Sequence, residues 1–298
     1  MTFEPIFQDH PSLSSDDGKT FIETRQAIHP NQARGLDTEE LRHHFVISSL
    51  FQPDRVRLTY THVDRFVVGG AMPVSGVLTL KALKPIGSPG FLDRRELGVL
   101  NIGAAGRIRC DDQVFELGHG DTAYVGMGTK TVQFESMKTD DPAKFYLVST
   151  PAHRRYETQL ISLKNAKRMQ LGTAETANLR SIVQVIHPDV CQTCQLVMGF
   201  TVLEVGSVWN TMPCHVHDRR SEIYLYFDVT QPEARIFHLM GEAQETRHLV
   251  LHADEAIISP GWSIHSGVGT SSYSFCWAMA GDNQDYTDMD MIALKDLK

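Results

Sequence analysis

The stretch Trp209-Asn-Thr-Met-Pro-Cys-His215-Val-His217-Asp-Arg-Arg-Ser-Glu222-Ile-Tyr-Leu-Tyr-Phe227 decides how this chain is read. Successive side chains of an extended segment alternate faces, so His215 and His217 point the same way and can reach one point. Glu222, five residues on, opens an aromatic-rich run with strand character. An antiparallel hairpin would set its carboxylate beside the two imidazoles. Further along, Ser259-Pro-Gly-Trp-Ser-Ile-His265 brings a third imidazole just after a Pro-Gly turn. Three imidazoles and a carboxylate suit zinc, iron, manganese, nickel or copper better than calcium or magnesium. His215, His217, Glu222 and His265 are therefore the candidate metal ligands. Cys214 precedes His215 and in a strand faces away from them.

On either side of this stretch the chain has the texture of an all-β sandwich or barrel. Short apolar runs at 55–60, 65–68, 76–80, 99–102, 113–117 and 131–134 are separated by Gly, Pro or Asp. A second set follows at 195–205, 223–227, 234–240, 247–251, 256–258 and 272–279. Between them, 151–180 carries Lys164, Lys167 and Arg168 with few β-branched residues and reads as a connecting segment. The expected division is an N-terminal arm over 1–23, a barrel without metal ligands over 24–150, the connector 151–180, and a metal-binding barrel over 181–298. One short helix is expected within 36–50, where Asp37 and Glu40 form an N-cap signature. Another is expected over 288–298, with acids early and lysines late. The segment Gly120-Asp-Thr-Ala-Tyr-Val-Gly-Met-Gly128 can be laid on Ala253-Asp-Glu-Ala-Ile-Ile-Ser-Pro-Gly261, which suggests duplicated barrels and sets Val132 against His265.

Composition narrows the function. The 298 residues are 42% hydrophobic and 21% charged, an ordinary globular balance. A net charge of -8 argues against the broad basic face that nucleic-acid binding needs. No run of 18 apolar residues predicts a membrane span, and the N-terminus has no secretory pattern. Five scattered cysteines fit a reducing compartment, and the expected location is the cytoplasm. Cys191-Gln-Thr-Cys194 lacks both the second pair of a zinc site and the βαβ setting of a redox motif, so it reads as two ordinary thiols. The glycine clusters at 98–106 and 120–128 match no nucleotide loop. His43, His44, His62 and His153 read as surface or structural residues. His248, otherwise of that kind, is with Tyr224 and Tyr226 a candidate base; Arg180, Arg219, Arg220 and Arg247 are candidate partners for an anionic substrate.

The His-x-His, Glu and later Pro-turn His resemble the two-part metal signature of the cupins, whose fold is a double-sheet jelly roll. Two departures are Val229, where cupins have a Gly, and Gly261, one position early in the second motif. A closer resemblance runs from about Thr24 onward. The strings Arg94-Arg-Glu-Leu-Gly-Val-Leu-Asn-Ile-Gly103, Pro142-Ala-Lys-Phe-Tyr146, Thr193-Cys-Gln-Leu-Val-Met-Gly199, Gln244-Glu-Thr-Arg-His248 and Trp262-Ser-Ile-His-Ser-Gly-Val-Gly-Thr270 look like the 5-dehydro-4-deoxy-D-glucuronate isomerase family, ketol-isomerases of bacterial pectin breakdown. The resemblance implies two cupin-like barrels, zinc on His215, His217, Glu222 and His265, a keto-deoxyuronate substrate and a homohexamer. The alternatives are a cupin dioxygenase with a redox metal and a non-catalytic sugar-binding bicupin.

Overall fold

The computed structural model describes residues 12–229 and 231–298. Nearly all regular structure is strand, arranged as two pairs of sheets and a two-stranded ribbon of His215–Val216 with Asp290–Met291. In the first pair, an eight-stranded sheet faces one of four strands, Leu78–Thr79, Val132–Ser136, Gly106–Cys110 and Gln113–Leu117. In the second, a seven-stranded sheet faces Trp209–Asn210, Ser266–Gly269, Ile236–Glu242 and Glu245–Leu251. The central order is the same in both large sheets. Arg55–Thr61, Val67–Met72, Phe145–Pro151, Arg95–Asn101 and Thr122–Val125 run side by side in one. Arg180–Ile186, Val197–Leu203, Ser274–Gly281, Arg220–Phe227 and Glu255–Ser259 do so in the other.

The central strands of the two large sheets are buried on both faces. In Phe145–Pro151, Phe145 and Leu147 join the interior of the first barrel, while Tyr146 and Val148 join an apolar cluster with Val183, Val185, Met198, Phe200 and Leu225 of the second half. The strands therefore read as continuous apolar runs and not as alternating ones. Gly98 lies on this seam, where an added Cβ would come within 2.8 Å of Met198 Sδ, so glycine lets the sheets approach closely.

Several expectations change here. The segment before residue 24 is not a draped arm throughout: Thr20–Arg25 pairs in parallel with Arg55–Thr61 and buries Ile22, and residues 1–11 of the expected arm lie outside the described residues. Residues 151–180 are more than a connector, because Gln159–Ile161 adds an edge strand to the first large sheet and Lys167–Leu171 adds one to the second. Lys167 and Arg168 mark an exposed sheet edge, where charge discourages further pairing. The repeat was aligned one residue out of step. Ala123 pairs with Val99 on the interior face of the first barrel, whereas Ala256 pairs with Leu225, on the face opposite the interior-facing Tyr224. With a side-chain period of two, an odd offset exchanges the faces.

The helix expected within 36–50 is Thr38–Phe45, and Asp37 and Glu40 form its reciprocal capping box. The chain then continues into Val46–Ile47, which pairs with Glu255–Ser259 of the second half. The helix expected over 288–298 is instead the strand Asp290–Met291 and a single 3-10 turn, Leu294–Asp296. Met291 pairs with His215, and this tertiary pairing outweighs a weak helical preference.

Candidate metal centre and its cavity

The four expected ligands come together inside the second barrel. His215 Nε2 lies 3.2 Å from His217 Nε2 and 3.0 Å from His265 Nε2. Glu222 Oε2 lies 3.1 Å from His217 Nε2 and 2.7 Å from His265 Nε2. All four side chains are buried. The expected hairpin is not what gathers them. His215–Val216 pairs with Asp290–Met291, and a tight turn in which Arg220 N donates to His217 O delivers Glu222 directly. The Pro-Gly turn supplies the fourth donor. His217 N donates to Gly261 O, and a Cβ at Gly261 would sit 2.6 Å from His217 O, so a larger residue would push His265 away from the others.

The protonation pattern bears on whether a metal fits. His217 Nδ1 lies 3.1 Å from Asp288 O and His265 Nδ1 lies 3.3 Å from Ser263 O. A carbonyl only accepts, so a metal bound at Nε2 would leave each ring its hydrogen on Nδ1, directed at that carbonyl. Burial, reinforced by the neighbouring His265, lowers His215 to about 3 and keeps it neutral. Burial alone would raise the Glu222 carboxyl, but His265 and His217 outweigh it and hold it below the usual carboxylate range. These four atoms converge within 4.8 Å of one another, and a cation among them would replace the ring protons as the partner of the carboxylate, so the group can bind a metal.

His215, His217 and Glu222 of this group form one wall of a cavity of about 220 Å³, with Arg180, Thr211, Tyr224, Phe275, Trp277 and Tyr286 among its other walls. Of the three candidate bases, only Tyr224 lines it, with its hydroxyl 3.1 Å from Thr211 Oγ1. Tyr226 donates to or accepts from His238 Nδ1 at 2.8 Å outside the lining, and His248 is exposed on the outer strand. Of the four candidate arginines, Arg180 alone lines the cavity. Arg219 is paired with Asp288, Arg220 donates to Asp288 O at 2.8 Å while lying against His217, and Arg247 lies 3.3 Å from Glu245. None of His43, His44, His62 and His153 lines the cavity. The sequence reading missed Phe275, Trp277 and Met279, although their spacing of two within one strand was the available signal. It also missed Tyr286 and Met289, which stand in an irregular segment without a pattern. All five cysteines are free thiols.

Two jelly rolls in tandem, the second opened by a pocket carrying three imidazoles and a carboxylate, define a bicupin. Solved structures agree with that fold. An IolB-like protein from Salmonella typhimurium superposes with a TM-score of 0.62 at 14% identity, covering 76% of this chain and 86% of that one. An oxalate decarboxylase from Lactobacillus farciminis gives 0.53 at 9%, covering 77% and 79%. The chain belongs to the KduI/IolB family, whose pattern matches residues 49–294. It is 52% identical over 277 residues to a 4-deoxy-L-threo-5-hexosulose-uronate ketol-isomerase of Agrobacterium fabrum, covering 93% of this chain and 99% of that protein. A protein of the same name from Caldicellulosiruptor bescii is 50% identical over 277 residues, covering 93% and 100%. The chain is accordingly an enzyme, an intramolecular oxidoreductase of the ketol-isomerase kind. Among the described residues no helix is long and apolar enough to cross a membrane.

Proposed function

We propose that this enzyme is a zinc-dependent isomerase that converts 5-dehydro-4-deoxy-D-glucuronate into 3-deoxy-D-glycero-2,5-hexodiulosonate during the breakdown of pectin or related uronate polymers, and that it works in the cytoplasm as a homohexamer. The observation that carries the reading is the convergence of His215, His217, Glu222 and His265 on one point at the wall of a substrate-sized cavity. The names of its half-identical relatives support the substrate. The isomerase class sets aside the dioxygenase and the non-catalytic alternatives.

The reaction is balanced within the sugar acid. One hydrogen leaves C2 and one is delivered to C1, and a proton passes between the two oxygens, so no co-reactant is consumed. When bound, a divalent cation supplies Lewis acidity where negative charge develops on those neighbouring oxygens. Glu222 and the three histidines hold the cation and are not free to act as bases. Tyr224, held by Thr211, is the candidate placed to hold or pass a proton in the cavity. Phe275, Trp277 and Met279 make an apolar wall that excludes water from the reacting face.

The test combines metal analysis of the purified protein with NMR of the keto-deoxyuronate in its presence. About one zinc per chain and conversion of the aldehyde to the ketone are expected. Stoichiometric iron with oxygen uptake, or binding without conversion, overturns the proposal. Light scattering should give six times the chain mass.

Asp288 offers a second check. Its carboxylate takes two bonds of 2.9 Å from Arg219 Nε and one of 2.6 Å from Asn283 Nδ2, which fixes the carbonyl that receives His217 Nδ1–H. Asp288→Ala should weaken metal retention against a competing chelator by about tenfold or more, the usual effect of loosening a ligand's orienting partner.

A further inference from the structure

We infer that Arg180 receives the carboxylate of the substrate and so selects uronates over neutral sugars. The inference rests on the isomerase reading above and adds to it the residue that recognises the acid. In the proposed substrate the carbons that exchange hydrogen and the carboxylate stand at opposite ends of a six-carbon chain. The recognising cation must therefore share the cavity with the metal ligands without touching them. Arg180 opens the strand Arg180–Ile186 on the same face as Ile182, which also lines the cavity. It is the sole arginine or lysine among the described residues of the lining.

Its bonding leaves capacity for this role. Nη1 donates to Asn178 O at 2.9 Å, and the titratable groups that act on it are tyrosines, with no carboxylate among them. Of the other candidate arginines, Arg219 and Arg247 are paired with carboxylates and Arg220 lies against His217. None of the Arg180 nitrogens is among the buried atoms sealed without a partner, and the side chain lines the cavity. Tyr286 and Trp277, whose rings stand 5.5 Å apart, wall the same space. A planar guanidinium with two free N–H groups matches a carboxylate in bidentate fashion, and in a walled pocket such a pair is stronger than at a surface.

The test compares wild type, Arg180→Gln and Arg180→Lys, each metal-loaded and with metal content and melting temperature measured. The binding probes are the borohydride-reduced deoxyuronate, which cannot isomerise, and its carboxamide. Wild type should prefer the acid to the amide by about ten- to a hundredfold. Arg180→Gln should bind the two nearly equally, with unchanged metal content, and should raise KM for the keto-deoxyuronate far more than it lowers kcat. Arg180→Lys should restore part of the preference. An acid preference that survives in Arg180→Gln overturns the assignment, as does an equal loss of acid and amide binding. Wild type that prefers the acid but does not convert the keto-deoxyuronate supports Arg180 while overturning the isomerase reading, so the two failures are distinct.

Discussion

His217→Ala should leave the protein folded, reduce its metal content to near zero and lower turnover by at least about a thousandfold, equivalent to about 4 kcal/mol of lost transition-state stabilisation. His217 is the ligand with the most dependent contacts. Its Nε2 meets both His215 and Glu222, its Nδ1 is oriented by Asp288 O, and its backbone nitrogen holds the Pro-Gly turn that carries His265. Alanine preserves the backbone bond but removes one donor of four and leaves Glu222 with fewer partners in a buried site. The exposed His248 provides a control, and His248→Ala should retain metal and turnover within about twofold of wild type, as expected for a surface substitution. Metal analysis and kinetics on both variants decide the matter. A metal-free His217→Ala protein that still turns over would show that the cation serves the fold alone.

The second large effect is on stability and comes from the other half of the molecule. Glu96 is wholly buried on the seam between the large sheets, and its Oε1 accepts from Gln195 N and Leu196 N at 2.9 Å each and from Thr150 Oγ1 at 3.2 Å. Its Oε2 accepts from Cys194 N at 2.7 Å and from the Tyr124 hydroxyl at 2.8 Å. One carboxylate of the first barrel thus ties down the three backbone N–H groups that lead into the strand Val197–Leu203 of the second. Glu96→Ala would orphan all of them without water, and the expected cost is about 3–5 kcal/mol. Glu96→Gln keeps the shape but sets an amide N–H against a backbone donor, so it should cost about half as much. The shift of the urea midpoint measures both. An unchanged midpoint for Glu96→Ala would mean that these N–H groups find other partners.

The cluster of His215, His217, Glu222 and His265 was legible because its spacing within an extended segment is short and its chemistry specific. Its assembly was less so. The role of Asp290–Met291 could not be read, because two residues that pair with a distant strand carry no periodicity of their own, and the acids and lysines around them imitate a helix. The strand texture revealed the fold class, whereas burial on both faces removed the alternation that would have distinguished cavity from seam. The bonding of Glu96 carried no local sequence signal, since three of its five partners are backbone groups about a hundred residues away and the other two are side chains on other strands. The arginines show the same limit: four were plausible by type, and only tertiary placement separates Arg180 from three already engaged elsewhere.

The strand Ser274–Gly281 carries a further consequence. Phe275, Trp277 and Met279 face the cavity, and Cys276, Ala278 and Ala280 face away from it. Cavity wall and adhesion between the halves are therefore inscribed on odd and even positions of a single ribbon. Divergence toward a new sugar acid can proceed through the odd positions while the even ones keep the joint intact, so relatives of altered substrate preference can share one unaltered scaffold.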